Sequence, residues 1–187
     1  NLAGLDGLTV GVVGLGIIGL AVAQAFHGMG SKITYHDPAP RESKSVSLLG
    51  AVALPLADLL SGADIVTLHV PLLPSTESMI GERELRQMKA GAILINAARG
   101  GVVDEAALVR YLKNGHLAGA AVDVYSSEPP ALDNPLLKAE DKVGRRLLLT
   151  PHIAGVTRQS WAHLFRSAWN NVERLLLYNE LPANRVV

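Results

Sequence analysis

Gly14, Gly16 and Gly19 fall in the run Thr9-Val-Gly-Val-Val-Gly-Leu-Gly-Ile-Ile-Gly19, and an acidic residue, Asp37, follows 18 positions later. Glycines at this spacing suit a strand-to-helix turn. Gly14 permits the tight turn, Gly16 lets backbone approach a pyrophosphate, and Gly19 lets helix and strand pack closely. The flanks fit: apolar Leu8 to Val13 reads as a buried parallel strand, and Ile17 to Met29 has the apolar spacing of a helix. The helix N-terminus then offers unpaired N–H groups and partial positive charge to phosphates. Asp37 closes a second strand, Lys32 to His36, where a carboxylate can accept hydrogen bonds from ribose hydroxyls. The chemistry indicated is dinucleotide binding. The competing reading is a glycine turn made for packing, with Asp37 merely starting a turn in His36-Asp37-Pro38.

The elements that must position such a site alternate along the chain. Ala51 to Leu54 reads as a short strand and Pro55 to Ser61 as a helix. Asp64 to His69 is a strand, followed by the Pro- and Ser-rich loop Pro71 to Thr76. A helix at Glu82 to Met88 precedes a strand at Ala92 to Asn96. Asp104 can cap a helix over Glu105 to Lys113 that stops at Asn114-Gly115. Strands at Leu117 to Val122 and Arg146 to Thr150 flank a charged stretch, Lys138 to Arg146, that reads as a solvated loop. A long helix, Thr157 to Tyr178, closes the chain. This βαβα rhythm predicts an α/β fold: a Rossmann-type, doubly wound parallel sheet with helices on both faces. Ligands bind beyond the carboxyl ends of such strands. Asp37, His69, Arg99, Asp123 and His152 all lie there, with Glu128 shortly after. Singly, Arg99 reads as a surface cation, Glu128 as a solvated loop acid and His152 as a satisfied histidine. Their shared position favours a site.

Composition narrows the class. The 187 residues suit one α/β domain, and 17 basic against 17 acidic residues give no electrostatic signal for nucleic acid. Without cysteine there is no disulfide or thiol chemistry, which fits a reducing, cytoplasmic setting. No metal is called for. Gly7 to Ser31 carries no Asp, Glu, Lys or Arg, but its seven glycines favour strand, turn and helix over a membrane span. The chain opens on Asn1 and its first methionine is Met29, so it is expected to be a piece of something longer.

Five stretches in order resemble the nucleotide-binding domain of the NAD-dependent D-isomer-specific 2-hydroxyacid dehydrogenases. They are Val13 to Gly19, Leu68 to Leu72, Ile95 to Asp104, Ala118 to Tyr125 with Glu128-Pro129, and Thr150 to Gly155. The resemblance implies NAD as cofactor, a small 2-keto or 2-hydroxy acid as substrate, and a homodimer joined through this domain. It also implies a second, substrate-binding domain built largely from sequence ahead of this one. Arg99, Glu128 and His152 match the family's catalytic trio. Gly14, Gly16, Ile17, Ile18, Asp37, Pro71, Thr76, Ala97, Asp123 and Gly155 match its cofactor-binding positions, as do Arg99 and His152. One departure stands out: Ile17 occupies a position where arginine is usual, so a side-chain contact to phosphate is lost.

The chemistry asks for these residue types. Reducing a 2-keto acid delivers hydride to the carbonyl carbon while a proton reaches the oxygen. Histidine suits the proton step because its ordinary pKa lies near neutrality, and a carboxylate such as Glu128 favours imidazolium. Arg99 offers a planar fork of donors to the substrate carboxylate. Asp123 is expected to accept a hydrogen bond from the nicotinamide carboxamide. Asp37 should repel a 2′-phosphate and favour NAD, partly offset by Arg41. Two other readings stay open: a non-catalytic NAD-sensing module resembling dehydrogenase-related corepressors, and an NAD domain of another class such as a homocysteine hydrolase. Pro71 to Thr76 and Glu128-Pro-Pro130 resemble the 3-phosphoglycerate branch, with glyoxylate, hydroxypyruvate and lactate-type acids also open.

Overall fold

The computed structural model describes residues 4–39 and 44–183, and Arg41 lies outside them. Two compact units divide the chain, 1–151 and 152–187. In the first, seven parallel strands form one sheet in the order β3-β2-β1-β4-β5-β6-β7. They are β1 (Thr9–Val13), β2 (Lys32–His36), β3 (Val52–Ala53), β4 (Ile65–Leu68), β5 (Ile93–Asn96), β6 (Gly119–Val122) and β7 (Leu147–Leu149). The helices between them are α1 (Ile17–Gly28), α2 (Lys44–Leu48), α3 (Leu56–Gly62), α4 (Glu82–Gln87), α5 (Glu105–Lys113) and α6 (Pro135–Val143). Parallel strands need such crossover helices to carry the chain back to the amino end of the sheet before each new strand.

Alternation along the strands splits the core in two. Val10 and Val12 of β1 join Ala23 of α1 and Val46 of α2 in one apolar cluster. Gly11 between them faces α3: a Cβ there would lie 2.5 Å from Leu59 Cδ2. On that side Val66, Leu94 and Ala120 pack with Leu59, Leu85, Leu108 and Leu136 from the helices. Helices therefore cover both faces, as expected of a doubly wound sheet. The uncharged stretch 7–31 is the β1 strand, turn and α1 helix, and among the described residues no helix is long and apolar enough to cross a membrane.

Two expectations need correction. The charged stretch Lys138 to Arg146 is not a loop; it forms most of α6 and a short 3₁₀ turn, Gly144–Arg146. Leu136, Ala139 and Val143 are buried at helical spacing, so three apolar residues decide what a run of charges conceals. The short helix α2 was not expected either. Elsewhere the capping chemistry matches: the Ala107 N–H donates to Asp104 Oδ1 at 2.9 Å, and Gly115 ends α5 at φ 78°.

The second unit holds one long helix, α7 (Arg158–Leu177), where Thr157 to Tyr178 was expected. Thr157 caps it, its Oγ1 accepting from the Ser160 N–H at 2.9 Å. No residue of α7 is buried, and Leu164, Phe165, Trp169 and Leu176 are all exposed.

Candidate active site

Strand register draws one row across the sheet. His36, Val13, Leu68, Asn96, Val122 and Leu149 are paired in succession. The residue after each is Asp37, Gly14, His69, Ala97, Asp123 and Thr150. Gly14, Asp37, Ala97 and Asp123 thus stand in line just past the carboxyl edge, where open α/β sheets bind ligands.

The sheet order reverses between β1 and β4, and the chain parts there around the glycine turn. Gly14 has φ 90°, and a Cβ on it would lie 2.6 Å from the His69 carbonyl oxygen. A Cβ on Gly19 would come within 2.0 Å of the Gly14 carbonyl oxygen. Packing and backbone conformation therefore demand glycine at both positions. Gly16 differs: it is the N-cap of α1, and a Cβ there would meet nothing within 4 Å. The bare backbone at 16 faces open space. Ile17 and Ile18 follow in the first helical turn, 92% and 69% exposed.

Asp37 serves two purposes. Its Oδ2 accepts from the Leu15 N–H at 2.8 Å, tying β2 to the glycine turn, and its Oδ1 accepts from Ala39 N–H at 2.9 Å. The modest turn-starting role and the site position coexist in one side chain. Gly14, Gly16, Asp37, His69, Pro71 and Thr76 line a cavity of ≈ 390 Å³. The Thr76 hydroxyl donates to the Pro71 carbonyl at 2.6 Å and accepts from Leu73 N–H at 2.8 Å, closing the loop between them.

His69 shows a clear shift. Its Nε2 lies 2.9 Å from Thr67 Oγ1, and burial lowers its pKa below the usual 6.5. Desolvation penalises the charged ring, so the neutral form holds at pH 7. Because the folded pKa is depressed, the neutral ring's contribution to stability is complete above 6.5 and is lost as pH falls through the folded value.

A second set of contacts joins the ends of β5, β6 and β7. Buried Asn96 accepts from Ala98 N–H at 3.1 Å and donates to the Arg99 carbonyl at 3.2 Å. Thr150 Oγ1 donates to Asp123 Oδ1, and Tyr125 Oη donates to the Thr150 carbonyl at 3.0 Å. Glu128 Oε1 accepts from the Tyr125 N–H at 3.1 Å. Gly100 lies so close to Tyr125 that a Cβ on it would sit 1.7 Å from the Tyr125 carbonyl oxygen. Arg99 and Glu128 are therefore brought to the same edge by loops in direct backbone contact. Arg99 itself is exposed, with Nη1 donating to the Ala98 carbonyl at 2.7 Å.

The family model for the NAD-binding domain of D-isomer specific 2-hydroxyacid dehydrogenases matches residues 2–154. The chain belongs to this family. A glyoxylate reductase of Korarchaeum cryptofilum is 44% identical over 182 residues, 96% of this chain and 52% of that protein. The holo form of Rhodotorula graminis D-mandelate dehydrogenase superposes with a TM-score of 0.88 at 33% identity, covering 99% of this chain and 53% of that one. An NAD-complexed D-isomer specific 2-hydroxyacid dehydrogenase from Lactobacillus delbrueckii ssp. bulgaricus gives 0.83 at 34% identity, covering 96% and 56%. The chain spans about half the length of these relatives.

The cofactor of this domain family is NAD, and the residues present fit it. Bare backbone at Gly16, the start of a 12-residue helix and a carboxylate at the tip of β2 are the donor and acceptor set a dinucleotide needs. The sequence expectations missed Asn96 and Gly100, which hold the Arg99 loop. Asn96 was read only as the end of a strand, although a buried amide there had to find partners. His152 and Gly155 belong to the second unit. His152 has φ 54°, in the left-handed region sparsely used outside glycine, and the Gly155 carbonyl accepts from Ser160 Oγ at 2.7 Å. Among the described residues no group of His, Cys, Asp or Glu could hold a metal ion.

Proposed function

We propose that the intact protein reversibly reduces a small 2-keto acid to a 2-hydroxy acid with NADH, and that residues 1–187 supply its nucleotide-binding domain. The observation that carries this reading is the single carboxyl edge that aligns the glycine turn and Asp37 with the interlocked loops of Arg99 and Glu128. NAD supplies the hydride chemistry when bound. Arg99 grips the substrate carboxylate through its fork of donors. His152 gives the proton to the carbonyl oxygen in reduction and takes it back in oxidation, and the charge of Glu128 favours the protonated ring. Asp123, held by Thr150, offers a fixed acceptor to the nicotinamide carboxamide. Gly14, Gly16, Ile17, Ile18, Asp37, Pro71, Thr76, Ala97 and Gly155 complete the cofactor contacts.

In this reading a second domain of the intact protein forms most of the substrate wall. Steady-state rates of the intact protein with NADH on a panel of 2-keto acids test the activity; no turnover on any of them would remove it. Asp37 sets the cofactor choice. Like charges about 4 Å apart at an effective dielectric of ~20 repel by up to ~4 kcal/mol, and even ~1.4 kcal/mol is about tenfold in affinity. Fluorescence titration should show NADH bound at least about tenfold more tightly than NADPH, and equal affinities would overturn the role given to Asp37.

Homodimer assembly through this domain rests on the family resemblance and on exposed apolar side chains such as Leu132 and Leu148. Sedimentation of the intact protein at micromolar concentration is expected to give the dimer mass; a monomer would remove this part. A cytoplasmic location rests on the cysteine-free composition.

A further inference from the structure

Glu128 sits in a segment, 126–134, that has little apolar anchorage. Residues 126–129 and 131–133 are exposed, with Leu132 at 93%. A loop of this kind drifts unless polar contacts fix its stems. Both stems meet one side chain. Glu105, the first residue of α5, accepts from the Ser126 N–H through Oε1 at 2.7 Å. Its Oε2 accepts from Ser126 Oγ at 3.1 Å and from Asn134 Nδ2 at 2.8 Å. Asn134 is buried, and its Oδ1 accepts from the Leu136 N–H at 2.9 Å, at the start of α6. A carboxylate with two acceptor oxygens can hold all three donors at once, which no neutral side chain of that length can do.

We propose that Glu105 is a positioning residue for the reaction: its carboxylate clamps both stems of the 126–134 loop and so fixes Glu128. This rests on the role given to Glu128 above. Glu105 touches neither cofactor nor substrate and acts only through the loop. Its place in the first turn of α5 also suits the helix dipole, so a purely structural role is the competing account. That account predicts lost stability with no change in the chemistry of the proton step.

The test uses the intact enzyme and four variants: Glu105→Ala, Glu105→Gln, Glu128→Gln and the double variant Glu105→Ala/Glu128→Gln. Glu105→Ala is expected to lower kcat for keto-acid reduction by up to about 10²-fold, the scale set by displacement of a reacting group of about 1 Å. It should shift the pKa of the reduction profile downward, as Glu128→Gln does, and leave NADH affinity unchanged. Glu105→Gln, which keeps an acceptor for Ser126 N–H, should recover part of both effects and guards against a failure of the alanine variant to fold. In the Glu128→Gln background, Glu105→Ala should change little further, because both act on one group. A profile unmoved by either Glu105 variant while Glu128→Gln moves it overturns the proposal, as do fully additive effects in the double variant. If Glu128→Gln itself leaves rate and profile unchanged, the role of Glu128 fails and the clamp loses its function with it.

Discussion

Replacing His152 by Gln in the intact enzyme is expected to lower keto-acid turnover by about 10²–10⁴-fold, the usual worth of a positioned general acid, with NADH affinity nearly unchanged. His69 is the rival donor, because it too follows a strand on the cavity side. Its environment argues for a different role. Its carbonyl abuts Gly14 and its ring meets Thr67, so it helps shape the glycine turn. Burial lowers its pKa from 6.5, which disfavours the imidazolium form that a general acid to the substrate oxygen uses. His69→Gln should therefore retain most of the turnover that His152→Gln loses. Near-full activity in His152→Gln, with loss in His69→Gln, would reverse the assignment while leaving fold and cofactor untouched. Reduction rates measured across roughly pH 6 to 9 would separate the two further: the pH dependence of the parent should persist in His69→Gln and be lost in His152→Gln.

The sheet was legible because each of its signals is local. A buried parallel strand is an apolar run, and the stretches read as strands at Leu8 to Val13, Asp64 to His69 and Ala92 to Asn96 fold as Thr9–Val13, Ile65–Leu68 and Ile93–Asn96. The glycine turn and Asp37 were legible for the same reason, since spacing alone encodes the turn. α6 was not, because Lys138, Glu140, Asp141, Lys142, Arg145 and Arg146 outnumber the three apolar positions that bury it. Nor was the clamp on Glu128: Glu105 and Ser126 are 21 residues apart and meet only once β5, α5 and β6 have folded. Asn96 and Gly100 lay in plain view within Asn96-Ala-Ala-Arg-Gly100, yet their partners, the Arg99 carbonyl and the Tyr125 backbone, exist only in three dimensions. What sequence displays is the chemistry of a side chain; what holds that side chain still comes from elsewhere in the chain.

The second large effect is expected at Gly100. A Cβ there would stand 1.7 Å from the Tyr125 carbonyl oxygen, 2.1 Å from its carbon and 2.7 Å from the Ser126 nitrogen. All three are backbone atoms, so no rotamer change relieves the overlap, and the two loops must separate. Overpacking of this kind typically costs about 1–3 kcal/mol, occasionally more. Gly100→Ala should therefore lower the denaturant midpoint of unfolding, whereas Gly62→Ala, where a Cβ meets nothing within 4 Å at the end of α3, should not. Function separates this from general damage. Arg99 is the residue before Gly100, so under the role proposed for Arg99 parting the loops should move its guanidinium away from the substrate carboxylate and raise KM for the keto acid. The glycine turn at Gly14 lies on other strands, so NADH affinity in the variant that remains folded should hold. A Gly100→Ala protein as stable as its parent, with an unchanged KM, would show that the contact between the Arg99 and Glu128 loops does not set the geometry of the site.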